Sequence, residues 1–593
     1  MSNRAESVKP SHFDCPLVRD EMLPEFKAVR ADSASFAKLP HVRQLIETCE
    51  ANCEPVEQLP RLTYSLYQLY ERTGNRRKYD NAQRKKRTSA ASAALLAIFR
   101  DEQRWIDILQ DLVWSICEET CWVPPEHIKH NPIDLFSSET AFMLAEIEHL
   151  LGDQLDEAVR RRIRAELKVR ILDPYLANEY GWSDGHNNWT GVCESSVGST
   201  FLYLEQDPDR MARAINRVLE GLSKFVERAF LADGGSSEGI GYWQYGLINT
   251  VNFSALLRER TGGEVNFLAH DKFKKIALYP LAVQTGPESF YSVSDSAGGA
   301  SFAPGMIARL AERTDVDGIL ALINKHTANV GPDRFPHAIR SVLWWDGKLH
   351  QPPRIDDYLL PDTGVARIVD ERHNVVLIAK AGHNNENHNQ NDVGSFALYV
   401  GGEPMICDPG PGLYDKEYFG PNRYENPLCG SYGHSVPRIA GRVQPPGEEY
   451  GGRIAAFDIK PATKTIGIEF AGAYGIADLT ELSRTITLAT GSGDTVEIVL
   501  EDRYVFTGQP LPVEEAFTTW APVSVGHDGT AVIHGTDCQL ELRIVEPDNA
   551  QFEVEDLSVA EKGSGGSTAT LRRLACRLTT GGESFKLKLL VTN

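Results

Sequence analysis

The chain has 593 residues, 42% of them hydrophobic and 24% charged, with a formal net charge of -21. This length exceeds what one small core needs and predicts at least two large domains. The acidic balance argues against a general affinity for nucleic acid, whose phosphates require Lys and Arg, although a local basic cleft can sit on an acidic body.

The opening stretch, MSNRAESVKPSHFDCPLVRDEML, holds no apolar core of a secretory signal, and no apolar run is long enough to span a bilayer. The ten cysteines are scattered, and the pairs Cys49/Cys53 and Cys117/Cys121 share a spacing of four. That spacing fits one helix face better than a zinc knuckle and predicts buried free thiols. The expectation is a cytoplasmic protein with no membrane and no nucleic-acid partner.

Residues 40–340 carry helical periodicity. LTYSLYQLYERTG, SAALLAIFRDEQRWIDILQDLVWSIC, SSETAFMLAEIEHLLGDQL, DEAVRRRIRAELKVRIL, RMARAINRVLEGLSKFVERAF and GLINTVNFSALLRERTG all place apolar residues three and four apart. The Ser137-Ser-Glu-Thr stretch before an apolar run reads as an N-cap region. The basic run RRKYDNAQRKKR, residues 76–87, reads as a solvated helix face. Helices in series with short loops predict an all-α domain of paired helices over residues 1–345.

DGKLHQPPRIDDYLLPDTG follows, and its Pro and Asp content predicts a linker over residues 346–362. Beyond it the pattern is that of strands: GVARIVD, NVVLIAKAG, SFALYVGGEPMICDPG, RTITLAT, TVEIVLEDRYVF, CQLELRIVE and SFKLKLLVT. The TGSGD and TGGE stretches fit hairpin loops. Strands without intervening helices predict an antiparallel β-sandwich over residues 363–593.

Three polar islands interrupt these patterns. The first, residues 181–193, holds His186, Asn187, Asn188 and Trp189 between two helices. It suits either a helix cap with a packed ring, or a sugar platform in which indole stacks on a pyranose and amides bond its hydroxyls. The second, residues 233–245, holds Glu238, Tyr242 and Tyr245 among four glycines. It suits a helix start with ordinary aromatic packing, or a close backbone approach to a ligand. The third is AGHNNENHNQNDVGSF, residues 381–396, with His383, His388, Gln390 and Asp392. If Asn387–Asp392 is extended, alternation puts His388, Gln390 and Asp392 on one side, in the parity of the apolar Phe396, Leu398 and Val400.

No convincing dinucleotide fingerprint, P-loop, HExxH or GxSxG context is present, and no organic cofactor is expected. What remains is Asn, His, Tyr, Trp and Arg spread over both domains. Such groups suit β-elimination from a uronate, in which a donor neutralises the carboxylate, a base takes the C5 proton and an acid protonates O4.

At these residues the sequence resembles the heparinase II/III-like polysaccharide lyases. The matching pieces are His388-Asn-Gln-Asn-Asp-Val-Gly-Ser-Phe396, Gly402-Glu-Pro404, Asp408-Pro-Gly410, Arg423-Tyr424, His434-Ser-Val-Pro437, Asn187–Cys193 and Asp233–Tyr242. The resemblance implies an α/α toroid, an incomplete barrel of helix hairpins, followed by the β-sandwich. It implies that Asn188 neutralises the substrate carboxylate, that Tyr242 is the acid with Tyr245 in reserve, and that His388 is the partner base or carboxylate donor. The substrate-binding residues it suggests are His186, Asn187, Trp189, Glu238, Tyr245, His383 and Arg423. It also implies a structural metal site at Gln390, Asp408 and His434. Gln390 stands where the family has His, and Ser435 where it has Asn. An amide oxygen is a poor zinc ligand, so either the metal is absent, or a group such as His383 completes the shell, or a harder divalent ion binds.

The expected activity is cleavage of a uronate-containing oligosaccharide or polysaccharide, exolytic on imported oligosaccharides, by a monomer or a homo-oligomer. The alternatives are a glycoside hydrolase drawing its two carboxylates from Glu238, Asp184 and Asp233, and a non-catalytic glycan-binding protein.

Overall fold

The computed structural model describes residues 22–128, 132–490, 495–561, 567–578 and 584–592. The amino-terminal stretch, residues 491–494 of the first hairpin loop and all of the second, residues 580–583, lie outside the described residues.

The chain forms two compact units that interleave in sequence. One takes residues up to 230, then 242–277 and 301–352, and the other takes 231–241, 278–300 and 353–593. The strand unit therefore draws two segments from within the range read as the helical domain, 1–345. Buried polar contacts tie them in. Arg367, 2% exposed, donates from Nη1 to the carbonyls of Leu281 (2.8 Å) and Gln284 (2.7 Å). Asp233 accepts from the backbone N–H groups of Asp362 and Thr363, each at 2.8 Å. The stretch read as a linker also ends in a strand, Tyr358–Leu360, paired antiparallel with Val365–Asp370.

In the helical unit the periodic segments are helices, with local departures, and LTYSLYQLYERTG splits into Tyr64–Tyr67 and Leu69–Thr73. The helix expected across residues 92–117 breaks at Asp101, whose φ of 45° is left-handed, into Arg77–Arg100 and Gln103–Cys117. The helix Leu135–Leu151 is capped by Asp134, with Ser137 completing a capping box, so the cap lies earlier than the serine pair suggested. The basic run is not a uniformly solvated face: Lys86 and Arg87 are buried, and both pair with Glu119, Arg87 through two bonds of 2.7 Å. Among the described residues no helix is long and apolar enough to cross a membrane.

In the strand unit the described residues form three antiparallel sheets. The first is a meander of Tyr358–Leu360, Val365–Asp370, Val375–Lys380, Phe396–Val400 and Glu403–Ile406. The second has nine strands, running in space from Val523–Val525 to Gly382–Asn384, and the third joins Phe552–Val559, Ala569–Leu578, Val513–Thr519 and Arg438–Ile439. All seven strand-like segments read from sequence contain strands. The long Gly447–Ile459 went unread because its exposed, Gly-containing pattern does not alternate. Leu377 and Leu398 of the first sheet, Ile466, Ile486 and Leu587 of the second and Phe517 of the third share one apolar core, which makes this unit a β-sandwich. Within that core the register sets Arg484 opposite Asp502, both fully buried, with Glu515 and the hydroxyl of Tyr504 completing the network.

Candidate active site

Within the stretch 381–396, residues 385–395 form a loop between two strands of different sheets, Gly382–Asn384 and Phe396–Val400. His388 sits at φ 58°, so the alternation expected over Asn387–Asp392 does not occur. A non-glycine residue in this region is strained, and such strain is concentrated at functional sites. The asparagines explain how the loop holds without ladder bonds. Asn384 Nδ2 donates to Gln444 Oε1 (3.2 Å), Asn391 Nδ2 to the Gln444 carbonyl (2.9 Å), and Gln444 Nε2 to the Val393 carbonyl (2.7 Å). Gly394 turns the chain at φ +92°, where a Cβ would lie 2.5 Å from the Phe470 ring.

The loop brings His388 to Asp295, a fully buried carboxylate from the segment 278–300. His388 Nδ1 lies 3.1 Å from Asp295 Oδ2. Tyr414 donates to the same oxygen at 3.1 Å, and Tyr418 donates to Oδ1. Arg423 Nη2 reaches both oxygens, at 3.1 and 3.0 Å, and also the Asn389 carbonyl at 2.9 Å. Burial alone would raise the Asp295 carboxyl, but the His388 hydrogen bond and the Arg423 charge outweigh it and hold Asp295 below its ordinary value. Burial and then the Asp295 charge push the Tyr418 phenol up, so it stays a donor. With Nδ1–H donated to Asp295, the neutral imidazole of His388 carries its lone pair at Nε2. Glu238, 3% exposed, places Oε1 3.7 Å from that nitrogen. The result is an imidazole oriented by a buried carboxylate, an arrangement able to accept a proton at Nε2.

Beside this group, Asp392, Asp408 and His434 converge with ligand atoms within 4.8 Å of one another, all buried. Asp392 Oδ2, Asp408 Oδ2 and Gln390 Oε1 are buried oxygens with no hydrogen-bond partner. Lys380 Nζ pairs with the other oxygen of Asp392. Burial and then the Asp392 charge raise the Asp408 carboxyl well above its usual range, and burial drives His434 down to about 4. The orphaned oxygens and the imidazole form a donor set that fits one divalent cation, and its oxygen content suits a harder ion better than a thiolate-loving one. Gln390 also bonds Asp295 (3.4 Å) and the Gly410 carbonyl (3.2 Å) through Nε2. His383 faces Glu386 at 3.2 Å and is not among the converging groups.

In the helical unit, Asn187 caps the helix Asn188–Leu204 by accepting from the Trp189 N–H at 3.0 Å. Asn188 is 2% exposed in the first turn, Trp189 meets His127 edge-on at 4.7 Å, and His186 is exposed. Tyr242 lies half-buried in the first turn of Ile240–Arg260. One turn on, Tyr245 donates to Glu139 Oε2 at 3.1 Å, and burial and then the Glu139 charge raise its phenol. Its hydroxyl therefore serves as a held donor. In the strand unit, Asp233 is fully used by backbone N–H groups and by Thr363 Oγ1 at 2.8 Å, which ill suits a hydrolytic role.

Sequence reasoning missed Asp295, Tyr414, Tyr418 and Lys380 as functional candidates, and gave Asp392 only a place in the parity pattern. Asp295 lies in SVSDSAGG, a polar stretch within a range read as helical, which was the available signal. Lys380 looked like the polar end of a strand.

Residues 352–498 match the family model described as Heparinase II/III-like, C-terminal. Heparinase III is similar over 99% of this chain and 94% of its own, at 13% identity and a TM-score of 0.61. Heparan sulfate lyase HepC from Pedobacter heparinus is similar over 99% and 93%, at 12% identity and a TM-score of 0.60. The Streptomyces coelicolor A3 chondroitin AC lyase, in complex with chondroitin sulphate, covers 96% of this chain and 83% of its own at 13% identity, with a TM-score of 0.52. Nothing among the curated proteins matches the chain significantly. The fold class these findings define is the α/α toroid with an antiparallel β-sandwich, found in polysaccharide lyases. Within that class, the likeness to the heparinase II/III-like family rests on residues 352–498, which carry the match to its C-terminal model.

Proposed function

We propose that the protein is a lyase that cleaves a uronate-containing sugar chain by β-elimination. The observation that carries this reading is the Asp295–His388 pair, a buried carboxylate fixing the tautomer of an imidazole whose Nε2 is left to accept a proton. In the proposed reaction a base removes the C5 proton, the electron pair forms C4=C5, and O4 departs with a proton from an acid. His388 is assigned as base, or as carboxylate donor when it is protonated. Tyr242 is assigned as acid, and as base for the other stereochemistry. Asn188 is assigned to neutralise the carboxylate.

A divalent cation held by Asp392, Asp408 and His434 is proposed as a structural element that ties the loop to the sheets. Its charge would neutralise the buried carboxylates there. Every cysteine among the described residues is a free thiol, the state a reducing compartment maintains. We accordingly place the enzyme in the cytoplasm, acting exolytically on short imported oligosaccharides.

The test is ultraviolet absorbance of the C4=C5 bond on incubation with alginate, glucuronan and heparan oligosaccharides. Absorbance rising with at least one uronate supports the reading. A folded protein that generates none across the panel refutes it.

A further inference from the structure

A cavity of about 260 Å³ opens within the helical unit, lined by Arg84, Arg334, Glu139, Asn249, Phe136 and Met143 among others. At ~30 Å³ for each water of bulk liquid, this has room for at least one sugar ring. Its charge is unusual for so acidic a protein: three arginines, Arg84, Arg87 and Arg334, face two carboxylates, Glu139 and Asp333. Two of the three are neutralised. Arg87 is buried against Glu119, and Arg334 donates from Nε to Glu139 Oε1 at 2.7 Å. Arg84 has no carboxylate or hydrogen-bond partner among the described residues, and its guanidinium lies over the Phe136 ring at 4.3 Å. Stacking of this kind orients the planar fork and leaves its N–H groups to a ligand.

The polar wall is built, not incidental. Glu139 is fixed by Arg334, by the Tyr245 hydroxyl at 3.1 Å and by Asn249 Nδ2 at 3.3 Å. Asn249 Oδ1 in turn meets His337 Nε2 at 3.2 Å. Tyr242, Tyr245 and Asn249 follow i, i+3, i+7 spacing along Ile240–Arg260, hence one helix face. At 1.5 Å per residue the cavity wall at Asn249 is about 10 Å along the axis from Tyr242.

We propose that this cavity is a subsite for a carboxylate-bearing sugar ring, a neighbour of the ring processed at Tyr242, with Arg84 as the residue that selects its charge. Phe136 and Met143 supply an apolar wall for the ring's C–H face, and Arg334 supports the anion from beside Glu139. This rests on the uronate reading and adds to it that a second ring of the substrate is acidic.

The experiment is calorimetric binding to the full-length Tyr242→Phe protein, so that turnover does not intervene. The probes are a uronate disaccharide, the same disaccharide with its carboxyls reduced to alcohols, and inorganic sulfate. The expected result is at least tenfold tighter binding of the acidic disaccharide, and loss of that preference when Arg84→Gln is added. Asn249→Asp, which places a negative charge in the wall, is expected to weaken the acidic disaccharide as much. An unchanged preference in both variants, with melting temperatures intact, overturns the assignment. Sulfate binding as tightly as the disaccharide overturns its assignment to a sugar. Failure of the lyase reading is read separately, in the absorbance assay on the unmodified enzyme.

Discussion

Asp295 Oδ2 lies 3.1 Å from His388 Nδ1, although 93 residues separate the two in sequence. The contact fixes which nitrogen carries the proton, and Tyr414, Tyr418 and Arg423 fix the carboxylate in turn. Asp295→Asn keeps the shape but lets its amide donate toward the imidazole, favouring the wrong tautomer. The expected outcome is a fall in kcat on the order of 10²- to 10⁴-fold, with KM little changed and the circular dichroism spectrum retained. Wild-type kcat in this variant would remove Asp295 from the account.

The Asp392, Asp408 and His434 cluster predicts metal in the purified protein. Elemental analysis is expected to find a divalent ion at a near-stoichiometric level, and a chelator to lower the melting temperature, because a ligand bound only to the folded state stabilises it by mass action. His434→Ala should lose both the ion and the response to the chelator. Metal-free protein that melts identically with and without chelator would show that Lys380 alone balances these carboxylates.

Glu194 predicts a pH-dependent stability. It is buried in the helical unit, where it accepts from the Tyr175 hydroxyl and from Ser183 Oγ at 2.8 Å. Burial pushes its carboxyl up from 4.5 to about 7, the hydrogen bonds only partly opposing it. The folded state thus keeps a proton that the unfolded chain gives up. This contribution is complete below pH 4.5 and is lost as pH rises through 7. Glu194→Gln is therefore expected to be more stable than wild type above about pH 8, by about 3 kcal/mol, and to show no gain below the unfolded value. Denaturant unfolding across this range checks the sign, and a gain confined to acid pH would reverse it.

How much of this was legible in the sequence depended on the kind of interaction. Strands such as Val496–Phe506 alternate, and their hydrophobic pattern survives translation into burial directly. The helix break at Asp101 was hidden, because a single left-handed residue leaves the apolar spacing on either side intact. His388, Asp408 and His434 were found through a family pattern, while Asp295 was not, because its role comes from a contact across sequence and its neighbours are small polar residues. The same limit explains the basic run 76–87. Periodicity marks a helix, but only the partner Glu119 distinguishes the buried Arg87 from the solvated face on which Arg84 lies, its guanidinium over the Phe136 ring.

The sandwich core yields a stability prediction. Arg484 and Asp502 are both fully buried, with Arg484 Nε 2.9 Å from Asp502 Oδ1. Asp502→Ala leaves a guanidinium without its main partner in a medium that poorly solvates it, and is expected to destabilise by about 3–5 kcal/mol. Replacing Arg484 and Asp502 together by Met and Leu should be far milder. Equal losses in the single and double variants, by denaturant unfolding, would mean that packing and not charge dominates there.

The central claim is elimination by a uronate lyase, and the mass of the products tests it most directly. Oligosaccharide fragments made by the wild-type protein are expected to sum to the mass of the substrate, with no water added, and Tyr242→Phe is expected to bind substrate while losing most of this turnover. Fragments that carry the mass of one added water, or full turnover in Tyr242→Phe, would contradict it.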